Sequence, residues 1–346
     1  MVAGPFPGST RTTSEAANMG ITRLQTMPGT PTMKPVASEA RAVRAAGAVA
    51  SSNRELFGVF DSAFLRPVGA TLLWDTVPMD TRLLSDPFPR SNKYHPQWMI
   101  ANGSGGANAL WLTEWLSSAI DLRPGMRVLD LGCGRAMSSI FLHHEFGVQV
   151  WAADLWFSAS ENLQRIRDAG ADGGVYPIHS EARALPFATD FFDAIISIDS
   201  FPYYGTDEHY LNYLARFVKP GGVIGIAGAG LMREFEEQIP TALSAWWEPS
   251  MSCLHSAAWW RRHWERTGIL DVDLADSMPN GWQLWLQWQE AVAPGNLVEV
   301  DALKADRGDY LGYVRAVGRR RPDVKLDDPL TAISVPPQYV SQPLLR

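Results

Sequence analysis

Cysteine is scarce in this 346-residue sequence: there are two, Cys133 and Cys253. They form no CxxC pair and no Cys/His cluster with zinc spacing, which excludes a zinc module or a disulfide scaffold. Two reduced thiols and a cytoplasmic location are the expectation, with no metal site. Long apolar runs are missing too. None reaches the roughly 20 residues of a membrane-spanning helix, and the N-terminus lacks the charged-then-apolar pattern of a secretory signal. Positive charge is in deficit, with 30 Lys and Arg against 37 Asp and Glu and a net charge of −7. An acidic surface repels phosphate backbones, so no nucleic-acid partner is expected.

Hydrophobic residues make up 46% of the chain, enough for one large or two ordinary globular cores. Residues 1–50 are rich in Ser, Thr, Ala, Pro and Arg and predict a flexible leader; Glu15 and Glu39 count against a transit peptide. Residues 51–108 predict an irregular N-terminal helical cap. Its end, Asn102-Gly103-Ser104-Gly105-Gly106, reads as a linker or as a lid that closes on a ligand. Residues 109–325 form the main domain, with a variable region at 230–305, and residues 326–346 predict an extended tail.

Within the main domain, apolar periodicity switches between helix and strand. Helices are expected over 109–120, 136–145, 158–169 (capped by Ser158), 207–217 and 256–267. Strands are expected over 127–131, 148–153, 174–178, 192–198, 223–227, 270–275 and 310–319. Trp282, Trp285, Gln289 and Val292 share one further helical face. Strands alternating with helices require a mostly parallel sheet covered on both faces. The expected fold is therefore α/β: Rossmann-like and seven-stranded, with an N-terminal helical cap and an aromatic-rich C-terminal insertion. Eight of the fourteen tryptophans lie between Trp246 and Trp288. Helix packing accounts for some of them and a large apolar acceptor pocket for the rest.

The sharpest chemical signal is Val128-Leu129-Asp130-Leu131-Gly132-Cys133-Gly134, a strand running into a glycine loop. Ligands of open parallel sheets bind beyond the carboxyl ends of the strands. Glycines there let backbone approach a ligand closely. Asp130 argues against a diphosphate, and Met137 stands where a dinucleotide fingerprint has its third glycine. A cationic nucleoside suits the loop better. Asp154, about twenty residues on at the end of the second strand, is placed to accept hydrogen bonds from ribose hydroxyls, with Leu155 and Trp156 beside it.

The order of glycine loop, Asp154, Glu181-Ala182-Arg183-Ala184-Leu185-Pro186-Phe187, Phe192–Ser197 and Val218-Lys219-Pro220-Gly221-Gly222 resembles class I S-adenosylmethionine-dependent methyltransferases, in particular the small-molecule branch often called type 11. The resemblance covers residues 109–230. It implies S-adenosyl-L-methionine as cofactor, with Asp130, Gly132, Cys133 and Gly134 at its methionine part, Asp154 and Leu155 at the ribose, Glu181 and Ala182 at the adenine, and Asp199 near the sulfonium. Glu181 departs from the family's usual Asp. Ser200-Phe201-Pro202-Tyr203 differs from the Pro-Pro loop of amino-methyltransferases by its Phe201 and is read as a pocket wall.

The resemblance also implies in-line methyl transfer to a small organic, apolar or aromatic acceptor, driven mainly by positioning. Asp199, Tyr203 and His255 are the candidate catalytic residues. Tyr203, Tyr204 and Trp156 offer aromatic faces to a sulfonium, and His255 offers a base. Alternatives are a cyclopropane-synthase-like lipid modification, which needs a base such as Glu181 or His255, and a non-catalytic module that senses S-adenosylmethionine.

Overall fold

The computed structural model describes residues 81–104 and 106–326. The expected leader, the first part of the cap, Gly105 and nearly all of the expected tail lie outside the described residues.

The strands are β1 (Arg127–Leu131), β2 (Gln149–Asp154), β3 (Val175–His179), β4 (Phe192–Ile198), β5 (Val218–Leu231), β6 (Leu270–Ser277) and β7 (Leu311–Arg320). They form one seven-stranded sheet in the order β3-β2-β1-β4-β5-β7-β6. The first five strands run parallel, and β7 is antiparallel to both β5 and β6. The chain reverses direction across the sheet between β1 and β4, and the crevice beyond the carboxyl ends of these strands is where such sheets bind ligands.

The helices are α1 (Pro96–Asn102), α2 (Ala109–Ser117), α3 (Met137–Phe146), α4 (Ala159–Asp168), α5 (Pro202–Gly205), α6 (Tyr210–Ala215), α7 (Ala257–Glu265), α8 (Gly281–Val292) and α9 (Leu297–Asp306). Alternation along the strands divides the core in two. Val128 joins one apolar cluster with Trp111 of α2, Phe141 of α3, Trp288 of α8 and Leu303 of α9. Leu129 and Leu131 join the other, with Tyr204 of α5, Leu211 of α6, and Trp260 and Trp264 of α7. The sheet is therefore covered on both faces. Trp260, Trp264, Trp285 and Trp288 are all buried, so half of the tryptophan-rich segment is core packing.

Local chemistry explains most element ends. Ser158 caps α4 in a capping box: its Oγ accepts from Glu161 N at 3.2 Å, and Glu161 Oε2 accepts from Ser158 N at 3.1 Å. Gly147 closes α3 in the left-handed region at φ +65°, with His143 and His144 in the last turn. Glu114 of α2 faces the residues that precede the helix. Its carboxylate accepts from Arg90 N, Ser91 N and Ser91 Oγ, fastening the turn at Ser91–Lys93 to α2.

Three elements differ from the sequence reading. The helix expected over 207–217 is shortened to α6, because Asp207 Oδ1 takes the His209 N–H in a local turn that competes with the helix, and the short α5 precedes it where a pocket wall was expected. The fifth strand is longer than 223–227, since Lys219-Pro220-Gly221-Gly222 is absorbed as an irregularity in the β4–β5 ladder. Helix α9 has no counterpart in the sequence reading.

Candidate active site

Alternation along β1 points Asp130 toward α3, where it is fully buried. Its Oδ2 accepts from Ser138 Oγ at 2.6 Å and Ser139 Oγ at 2.5 Å. Its Oδ1 is buried without a hydrogen-bond partner among the described residues. Burial is the main cause pushing this carboxyl up to about 6; the serine hydroxyls pull it down, and Asp154 pushes it further up.

The glycine loop folds over this carboxylate. Gly132 and Cys133 both donate to Ala153 O of β2, at 2.8 and 3.1 Å. Gly132 has φ +75°, and a Cβ there would fall 2.0 Å from Ser200 Oγ and 2.4 Å from Ser200 Cβ. Only glycine fits. Cys133 is buried, and burial raises its thiol pKa, leaving it unreactive.

Asp154 closes the loop from β2. Its Oδ2 accepts from Gly134 N at 2.8 Å, and its Oδ1 accepts from Trp156 N at 2.7 Å and Phe157 N at 3.0 Å. A carboxylate offers about four lone-pair positions, so roughly one remains for a ribose hydroxyl. Leu155 and Trp156 stand 51% and 67% exposed beside it, an uncovered apolar shelf at the crevice. Glu181 is drawn elsewhere: its carboxylate accepts from Arg183 N at 2.6 Å and Arg183 Nη1 at 3.1 Å, closing its own turn. The neighbouring Ala182 O accepts from Tyr210 of α6 at 3.0 Å.

Beyond β4 the backbone is strained, with Asp199 at φ +52°. Its Oδ2 accepts from Ala107 N at 2.8 Å and its Oδ1 from Ala229 N of β5 at 3.0 Å. Burial raises its carboxyl pKa against the pull of these two bonds. Asp199 thus fastens the segment before α2 to the end of β5. Gln289 of α8 assists by donating to Gly106 O at 2.8 Å. The same segment meets the glycine loop: a Cβ on Gly134 would sit 2.5 Å from Ser104 Oγ, and Arg135 Nη1 donates to Ala101 O at 3.0 Å.

Tyr203 is 61% exposed, whereas Tyr204 is buried. The Tyr204 hydroxyl is used up between Ser197, Ser200 and Leu131 O, tying β4 to β1. Tyr204 therefore presents no face to a ligand. The Tyr203 hydroxyl pKa is raised by desolvation and then by Asp199, Cys253 and Glu299 around it. His255 sits in a separate arrangement. Its Nδ1 lies 3.0 Å from Glu234 Oε2, and its ring stacks on Trp259 at 3.7 Å with 6° between planes. His263 stacks at 4.5 Å on the same Trp259, and its Nε2 lies 3.0 Å from Gly205 O.

Residues 128–222 match a family model described as a methyltransferase domain. Methyltransferase GfsG of Streptomyces halstedii is 32% identical over 117 residues, covering 34% of this chain and 42% of its own length. Ubiquinone/menaquinone biosynthesis C-methyltransferase UbiE of Vibrio campbellii is 32% identical over 144 residues, covering 41% and 53%. The alignments span about half the length of these relatives. A geranyl diphosphate methyltransferase structure in complex with SAM superposes with TM-score 0.50 at 20% identity, over 65% of this chain and 95% of that one. Phosphoethanolamine N-methyltransferase 2 of Haemonchus contortus gives 0.50 at 18%, over 65% and 56%. Strand order and glycine loop together define the class I methyltransferase fold. Residues 128–222 thus match a methyltransferase domain, and the sheet around them has the fold of these methyltransferase structures.

Glu234, Glu299 and the Asp199 clasp on Ala107 were not foreseen. They depend on meetings across 21, 100 and 92 positions of sequence that no local pattern encodes.

Proposed function

We propose that the protein is a cytoplasmic enzyme that uses S-adenosyl-L-methionine to methylate a small organic acceptor. The observation that carries this reading is the buried Asp130 carboxylate. One of its oxygens lacks a partner among the described residues, and the loop that follows it has no room for a side chain at Gly132 or Gly134. A buried charge requires a counter-charge, and an ammonium-bearing nucleoside provides one where a diphosphate would be repelled.

The residues fit that cofactor. Asp130 and the Gly132–Gly134 backbone would hold its methionine end, Asp154 a ribose hydroxyl, and the Leu155–Trp156 shelf its adenine. Backbone at Ala182 suits the adenine edge better than Glu181, whose carboxylate is engaged by Arg183. When bound, the cofactor supplies a methyl group on a good leaving sulfur, so the protein's work is alignment and exclusion of water. Asp199 holds the strap before α2 in place, and the Tyr203 ring lines the opening. His255, oriented by Glu234, offers its other nitrogen as a base for acceptors that must lose a proton. With Glu181 occupied, the lipid-alkene alternative has His255 as its remaining base. The two free cysteines suit a reducing compartment.

Calorimetry with S-adenosylmethionine and S-adenosylhomocysteine tests the reading. Wild type should bind both, and Asp130→Asn should bind the two roughly tenfold or more weakly, as expected on losing a charge-assisted contact. Equal affinity in the variant would remove the assignment of the loop. A search for metabolites that gain a labelled methyl group then identifies the acceptor.

A further inference from the structure

Ionisable side chains converge beside the strap. Glu299 accepts from Trp285, whose ring stacks on Tyr313, and Tyr313 pairs across β5 and β7 with Ala229, whose N–H donates to Asp199 Oδ1. Asp199 and Glu299 each also interact electrostatically with Tyr203 and Tyr313, and with one another. Asp199 spends its oxygens on Ala107 and Ala229. Glu299 accepts from Trp285 Nε1 at 2.8 Å and from Asn296 Nδ2 at 2.9 Å. These bonds fix both carboxylates without neutralising them, and no Lys, Arg or His contributes to the electrostatics of either.

The cluster has an unmet polar group and an aromatic wall. Tyr313 is 1% exposed, and its buried hydroxyl has no hydrogen-bond partner among the described residues. Its ring stacks on Trp285 at 5.6 Å with 17° between planes, and Trp285 meets Trp246 edge-on at 5.8 Å. Uncompensated carboxylates beside π-faces select a cation, and an orphaned hydroxyl can accept a hydrogen bond from an N–H. One carboxylate would serve the sulfonium. Glu299 lies on α9, apart from the cofactor-binding strands, and is left for a second positive charge.

We propose that the acceptor is an amine, bound in its cationic form between Glu299, Asp199 and the Tyr313–Trp285 wall. The proposal rests on the methyltransferase reading above and names the acceptor class. The ammonium gives one proton to a carboxylate. The freed nitrogen lone pair then forms the N–C bond as the C–S bond pair returns to sulfur, leaving an N-methylammonium and a neutral thioether.

The test uses 2-dimethylaminoethanol, which is protonated and carries an N–H at neutral pH, and its neutral carbon isostere 3-methylbutan-1-ol, titrated into the full chain saturated with S-adenosylhomocysteine. The amine should bind about tenfold more tightly, a difference of about 1.4 kcal/mol. Glu299→Gln should remove that preference while S-adenosylhomocysteine affinity stays unchanged, which also verifies that the variant folds. Equal affinity for the two probes, or no amine binding, overturns the proposal and leaves the methyltransferase reading standing. If Glu299→Gln instead abolishes the discrimination between S-adenosylmethionine and S-adenosylhomocysteine and spares the amine, the carboxylate belongs to the sulfonium and the proposal falls. If wild type binds no S-adenosylhomocysteine, the underlying reading fails, and the amine assignment fails with it.

Discussion

Single carboxylates decide how this site behaves, and Asp130 has the clearest signature. Its pKa, pushed up to about 6 by burial, lies above that of the same residue in the unfolded chain. The folded protein therefore holds the proton more tightly. The stability this contributes is complete below about pH 4 and is lost as pH rises through about 6, at most about 3 kcal/mol. Ligand-free Asp130→Asn should accordingly show a flatter dependence of melting temperature on pH between 4 and 7 than wild type. Parallel curves would show that Asp130 ionises without cost. Asp154 belonged to the same sequence motif and has a different task. Three backbone N–H groups from two loops converge on it, so it shapes the glycine loop.

Whole elements show where sequence and structure agree. Strands β1 and β4 match their expected bounds residue for residue. Central parallel strands are buried on both faces and read as short continuous apolar runs. Helix α4 was equally legible because Ser158 and Glu161 spell out its start. Ser158→Ala should cost about 1 kcal/mol, lowering the melting temperature by roughly 2–4 °C in a domain of this size; an unchanged melt would show that the cap is dispensable. Helix α9 escaped notice because Leu297 and Val298 in its first turn are 62% and 52% exposed, which blurs the apolar stripe. Glu299, in that same turn, escaped with it. The glycine-rich stretch before α2 was equally balanced between lid and linker, since glycine reports freedom and not destination. Its destination is set by Asp199, 92 residues away from Ala107. Asp199→Asn places an amide N–H₂ against a backbone N–H on one side. Hydrogen exchange at Ala107 and Ala229 should speed up in that variant, while exchange at the α4 amides stays unchanged. Equal protection at Ala107 would mean that the clasp carries no weight.

For the molecule as a whole, cofactor and fold should stabilise one another. S-adenosylhomocysteine at a hundredfold excess over its dissociation constant should add about 2.7 kcal/mol, raising the melting temperature by roughly 5–10 °C. Absence of a shift at that saturation would indicate binding to a partly unfolded chain.

The reversal of direction at β7 has a further consequence. Every strand from β3 to β5 points its carboxyl end toward one rim, and the glycine loop and Asp154 lie there. Helices α7, α8 and α9 and the antiparallel pair β6–β7 follow in sequence and attach along the far side of β5. The family match ends at residue 222, just before that boundary. Yet Trp288 and Leu303 share a core with Val128, and Trp260 and Trp264 share one with Leu129, so any change downstream of residue 231 is felt in the strand that leads into the glycine loop.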